Sequence, residues 1–260
     1  MRARVSSFTG RFLPNGVLDV FVQVALMEAT YMAYRLVRGW IDDPTGAAVA
    51  FQNGRSVIHI EQSLGIFVEP KVQALLGPTG LVGDAASWMY LNAQVTVTLA
   101  ALVYLYLRHN RSFYFVRNMF IVAWFIALLG YMVFPTAPPR FFPEWGFVDS
   151  VADFTGIDPL STTGANALFN PYAAVPSMHV AFALMIGMPL AVLAKRRAVR
   201  WFWTAYPLLV TFVIVMTANH FVFDAVLGAL TAACAYGVAY QLARARPVWG
   251  FRAAPARATA

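Results

Sequence analysis

Two short segments carry residue types that could do chemistry on an anion. Pro176-Ser177-Met178-His179 opens one apolar stretch, and His220-Phe221-Val222-Phe223-Asp224 opens another. In the second, a spacing of four puts His220 and Asp224 on one face of a helix. A carboxylate beside an imidazole fixes its tautomer and makes the far nitrogen more nucleophilic. In the first, Ser177 is a favoured N-cap residue, so the free amides of the next turn should point outward beside His179. Such amides form a ready anion site, with phosphate as the usual occupant. A third segment, Phe134-Pro135-Thr136-Ala137-Pro138-Pro139-Arg140, brings one guanidinium into an otherwise acidic loop, where it could fork onto phosphate oxygens. Asn219 reads as a turn residue that also lines the site, and Arg55 as a further phosphate contact.

Plainer readings stand beside these. His220 and Asp224 could be a structural hydrogen-bonded pair at a helix end. Ser177 could only cap its helix, although capping and phosphate binding are compatible. Arg140 could anchor its loop to lipid headgroups. His179, His220 and Asp224 could bind zinc as two histidines and a carboxylate, but their spacing follows no zinc pattern. Cys234 is the one cysteine, so neither a disulfide nor a cysteine-built metal site can form within the chain. No metal and no cofactor is expected.

The elements that must position these residues are membrane helices. Of 260 residues, 60% are apolar and 12% charged, roughly half the charge of a soluble domain. The apolar residues fall in long blocks, with candidate spans near 17–37, 86–107, 113–134, 176–194, 201–219 and 220–243. The last two nearly touch, so a tight turn must fall by Asn219 and His220. The first block is interrupted by Asp19 and Glu28 and lacks a cleavage site of small residues, so it is expected to be retained. The net charge of +7 does not point to nucleic acid, because the basic residues sit in short clusters between apolar blocks.

Those clusters alternate with acidic loops. Arg2, Arg4 and Arg11 precede the first span; Arg108, Arg111 and Arg117 follow the second. Lys195, Arg196, Arg197 and Arg200 follow the fourth, and Arg244, Arg246, Arg252 and Arg257 the sixth. The other loops hold Asp42, Asp43, Glu61, Glu69, Asp84, Glu144, Asp149, Asp153 and Asp158. The positive-inside rule puts both termini in the cytoplasm and the two motif segments outside. Within the first outer loop, Val57, Ile60, Leu64, Phe67 and Val68 recur at helical spacing, which predicts an amphipathic helix at the membrane interface. The expected fold class is an all-α six-span membrane bundle: one domain over 1–243 and a disordered cytoplasmic tail over 244–260. Its place is the cell membrane, and its Arg-rich basic charge hints at a bacterium.

Taken together, these motifs resemble the type 2 phosphatidic acid phosphatase superfamily, which has a Pro-Ser-x-His motif and a later His-x-x-x-Asp motif on a six-helix membrane core. The nearest resemblance is to the branch that includes inositol phosphorylceramide synthases. It is carried by the Phe134–Pro139 run, by Val175-Pro176-Ser177-Met178-His179, and by Thr217-Ala218-Asn219-His220 with Asp224, and it covers roughly residues 46–232. The resemblance implies that His220 is a nucleophile forming a phosphohistidine, that Asp224 orients it, and that His179 is general acid and then base. Ser177, nearby amides and Arg140 would hold the phosphate oxygens. Two cations of the phosphatase branch are missing, their positions being Val133 and Ile214 here. A site with fewer cations suits a singly charged diester better than a monoester. The expectation is a lipid phosphotransferase that moves or cleaves a phospho-headgroup, acting on a membrane phospholipid or polyprenyl phosphate, with water, an alcohol or another lipid as acceptor. The alternatives are a lipid or polyprenyl phosphate phosphatase and, from another class, a non-catalytic lipid-binding or transport protein.

Overall fold

A computed structural model describes residues 13–40, 44–157 and 171–245. Arg2, Arg4, Arg11, Asp42, Asp43, Asp158 and the tail from 246 onward lie outside them. The described chain is helical: α1 (Gly16–Trp40), α2 (Pro44–Ser63), α3 (Glu69–Leu76), α4 (Leu81–Arg108), α5 (Asn110–Val133), α6 (Ser150–Thr155), α7 (Met178–Leu193), α8 (Arg197–Met216) and α9 (Val222–Ala245). Five of these, α1, α4, α5, α8 and α9, are long and apolar enough to cross a bilayer. The fold is that of a multi-pass membrane protein. The remaining expected span, 176–194, forms α7, whose 16 residues extend about 24 Å, short of a hydrocarbon core of about 30 Å.

The distribution of burial is that of a protein built for lipid. Helix α1 exposes Leu18, Phe21 and Val24 while burying Asp19 and Gln23. In water that arrangement is inside out; in hydrocarbon it lets polar groups satisfy one another internally. Asp19 accepts hydrogen bonds from the hydroxyls of Tyr106 (2.9 Å) and Tyr114 (2.5 Å), and Arg117 donates to Gln23 at 2.6 Å. These bonds fasten α1 to α4 and α5. Glu28, on the same helix, is exposed.

Helix α7 lies at the centre, touching α4, α5, α8 and α9. It is apolar all round, as a helix enclosed by others must be. A second, smaller apolar cluster lies over the site end. Ala50, Val57 and Ile58 of α2, Ala137, Phe142 and Phe147 of the loop after α5, and Ala218 and Phe221 of the α8–α9 turn pack together there. The prolines of that loop prevent a long helix, leaving two short 3₁₀ turns, Pro139–Phe141 and Pro143–Trp145.

The first outer loop differs from its prediction. Helix α2 stops at Ser63, so Leu64, Phe67 and Val68 do not continue the face begun by Val57 and Ile60. Gly65 takes φ +70, and Ile66 N–H donates to Glu61 O while Gly65 N–H donates to Gln62 O. This is a Schellman ending, in which glycine supplies the left-handed residue. The buried face of α2 runs through Ala50, Val57, Ile58 and Glu61, with Ile60 and Leu64 outward. At the other end of the chain, α9 continues to Ala245, two residues past the expected boundary.

Candidate active site

The α8–α9 turn is closed by the backbone. Asn219 N–H and His220 N–H both donate to Ile214 O at 3.1 Å, and Arg140 N–H donates to Ala218 O at 2.8 Å. Ala218 holds φ +53, a left-handed conformation rare for a residue with a Cβ, fixed here by complete burial. His220 therefore lies just before α9, which starts at Val222, and not inside its first turn as the sequence suggested. It still meets Asp224. His220 Nδ1 is 3.2 Å from Asp224 Oδ2, and the same oxygen accepts Phe221 N–H at 3.0 Å. Asp224 thus reaches back to its own N-cap amide, as in half of a capping box, while holding the imidazole.

His179 comes from the first turn of α7. Its ring lies 5.4 Å from that of His220, centroid to centroid, with the planes 63° apart. Ser177 occupies the N-cap backbone position, but its hydroxyl does not cap the helix: among the described residues Oγ is buried without a hydrogen-bond partner. Its amide instead donates to Asp224 O at 3.0 Å, stitching the start of α7 to the first turn of α9. That stitch needs Gly228 and Gly130, where an added Cβ would come 2.3 Å from Ser177 O and 2.7 Å from Pro176 Cδ.

Arg140 is brought to the same turn. Its Nη1 donates to Asn219 Oδ1, its Nε lies 3.4 Å from Asp149, and its guanidinium lies over Phe141 at 4.9 Å. Asn219 also donates to Thr217 O at 3.0 Å. Arg55 stands apart: it is exposed on α2, with its guanidinium 5.8 Å from the Phe142 ring centroid. Of the two positions that lack a cation, Ile214 is fully buried in the apolar core and Val133 is 80% exposed.

Sequence reasoning missed three neighbours. Tyr90 of α4 stacks on His179 at 4.5 Å and 20°. Glu69 of α3 accepts Val222 N–H at 2.8 Å. Gln73 ties Val148 to Met216, holding the outer loop to the end of α8. No spacing rule pointed to them, because they act from α3 and α4, outside the segments that carry the motifs. Glu61, left without a role by the sequence, accepts Phe223 N–H at 2.7 Å. Burial, and then the neighbouring carboxyl of Glu69, push its carboxyl up to about 9. Among the described residues no group of three His, Cys, Asp or Glu side chains is arranged to hold a metal ion.

The family model of the PAP2 superfamily matches residues 55–238. The chain belongs to the PAP2 superfamily. The matched stretch holds every candidate site residue, from Arg55 to Asp224, and omits α1. Neither the curated proteins nor the solved structures contain a match. As a PAP2 protein the chain is a phosphatase-type enzyme acting on phosphorylated, lipid-type substrates.

Proposed function

We propose that this PAP2 enzyme is a lipid phosphotransferase that works on a phosphodiester headgroup through a phosphohistidine at His220. The observation that carries the reading is the approach of His179, from the start of α7, and His220, from the α8–α9 turn, with Asp224 on the Nδ1 side of His220. With Nδ1–H held by Asp224, Nε2 of His220 attacks phosphorus. The new P–N bond forms as the P–O bond to the leaving alcohol breaks, and His179 gives that oxygen its proton. Neutral His179 then takes a proton from the acceptor hydroxyl, whose oxygen displaces His220 from phosphorus. The Ser177 hydroxyl and Arg140 would hold the non-bridging oxygens. A small cleft lined by Tyr90, Phe182, Tyr206 and Val210 borders His179 between α4, α7 and α8.

Among the described residues Arg140 is the one cation tied to the turn, and Val133 and Ile214 add none. That favours a singly charged diester, and with it the inositol phosphorylceramide synthase-like branch. The alternation of basic and acidic loops favours six crossings, α7 included, with the site extracytoplasmic, and an interfacial seat for α2. The deciding experiment offers purified enzyme phosphatidic acid and several phosphodiester lipids, with acceptor alcohols, and reads the products by mass spectrometry. The expected result is transfer of a headgroup or phosphoryl group from a diester. Faster release of phosphate from phosphatidic acid would overturn it. Arg140→Lys, which keeps the charge and loses the fork, should lower kcat/KM by about 10²-fold in the same assay.

A further inference from the structure

Helix α9 starts with three amides, that of Phe221 buried and those of Val222 and Phe223 half-buried, that have no backbone partner within the helix. Each is met by a different carboxylate. Phe221 N–H goes to Asp224, Val222 N–H to Glu69 and Phe223 N–H to Glu61, at 3.0, 2.8 and 2.7 Å. Glu61 and Glu69 are fully buried, and among the described residues neither pairs with Lys or Arg. Their Oε1 atoms accept the amides of two adjacent residues, so both carboxyls meet the same turn. Among the described residues the Oε2 atom of each is buried with no donor. Bare carboxylates only accept, so one proton shared between the two would satisfy both. The backbone carbonyl of Glu61 closes the Schellman turn of α2, so the side chain projects from a fixed point.

We propose that Glu61 and Glu69 are positioning residues, which through one shared proton clamp the first turn of α9 and so set the height of the His220–Asp224 pair against His179. The proposal rests on the reading of His220 as nucleophile. Neither glutamate touches the reacting atoms. Their joint action places α9 from the outer side, as the Ser177–Asp224 bond places it from α7. The titratable groups that bear on Glu61 are Glu69 from α3 and Asp224 from α9, and both oppose its charge. Loss of the shared proton leaves like charges in one buried cluster and should push α2 and α3 off the turn.

The sign of the pH dependence follows. Folding raises the Glu61 pKa from 4.5 to about 9, so its stabilising contribution is complete below the ordinary carboxyl range and is lost as pH rises through 9. Glu61→Gln keeps an acceptor for Phe223 N–H and replaces the shared proton by a permanent N–H donor. Glu61→Ala removes both. With the full chain in detergent, the wild-type unfolding midpoint should fall between pH 6 and 9 more steeply than that of Glu61→Gln. With short-chain phosphatidic acid and short-chain phosphatidylglycerol as probes, Glu61→Gln should keep kcat at pH 7 within about threefold. Its log kcat should fall above pH 9 with one proton fewer than wild type. Glu61→Ala should lose at least about tenfold in kcat with little change in KM, since it displaces an imidazole and not the lipid. Equal pH slopes for wild type and Glu61→Gln would overturn the proposal, as would equal losses for the Gln and Ala variants at pH 7. The unfolding measurement needs no turnover. If His220→Ala stays active, the nucleophile reading falls, while the clamp is still judged on its own by the midpoints.

Discussion

His220→Ala is expected to lower turnover on the order of 10⁴-fold or more, because a covalent pathway has no substitute for its nucleophile. The loss should not come from unfolding. Asp224 keeps its bond from Phe221 N–H without the imidazole, and the turn is closed by backbone bonds to Ile214 O and Ala218 O. Loss of the buried imidazole should cost about 1–3 kcal/mol, leaving the protein folded while activity vanishes. His179→Ala gives the complementary result. With a lipid substrate it should be nearly inactive, because the alkoxide leaves without a proton. With an aryl phosphodiester, whose leaving group needs no acid, the first step should proceed and the second stall for want of a base. Rapid quench with a labelled phosphoryl group should then trap label on His179→Ala and none on His220→Ala. Label on His220→Ala, or lipid turnover near the wild-type rate, would remove His220 from the chemistry.

What the sequence made legible was local. The apolar blocks give helices, five of them long enough to cross a bilayer, and the tight turn at Asn219 is found; His220 does meet Asp224, but from the turn before α9 and not from one helix face. Such features depend on neighbours within a few residues, which is the range over which periodicity and capping speak. Two local signals were misjudged. Gly65 ends α2 by a Schellman turn, so the apolar periodicity across Val57–Val68 belongs to two elements. Ser177 has N-cap backbone geometry, yet its hydroxyl is left over. The rest is tertiary. Nothing in the spacing of Glu61 and Glu69 says that they reach Phe223 and Val222, more than 150 positions away in the chain. The stacking of Tyr90 on His179 joins α4 to α7 across a similar silence. Arg55 shows the opposite error: its residue type suits phosphate, but the fold leaves it exposed beside Phe142.

The second large effect is expected at a residue that has no side chain. Helix α9 lays a row of small residues, Ala225, Gly228, Ala232 and Ala235, against its neighbours, the means by which membrane helices approach closely without a hydrophobic driving force. At Gly228 the approach leaves no room. A Cβ there would sit 2.3 Å from Ser177 O and 3.3 Å from Val180 Cβ, and a backbone carbonyl cannot swing away as a side chain can. Gly228→Ala must then move the Ser177 segment off α9, stretching the bond from Ser177 N–H to Asp224 O and carrying His179 away from His220. A displacement of that kind should cost about 10²-fold in kcat and about 1–3 kcal/mol of stability. Gly237→Ala is the matched control on the same helix. Its Cβ meets nothing within 4 Å, so it should gain up to about 1 kcal/mol from helix propensity and leave kcat unchanged. Measured side by side, the two substitutions separate close approach from glycine loss as such. Should Gly228→Ala turn over as fast as Gly237→Ala, the seam between α7 and α9 would not be what sets the distance between the two imidazoles.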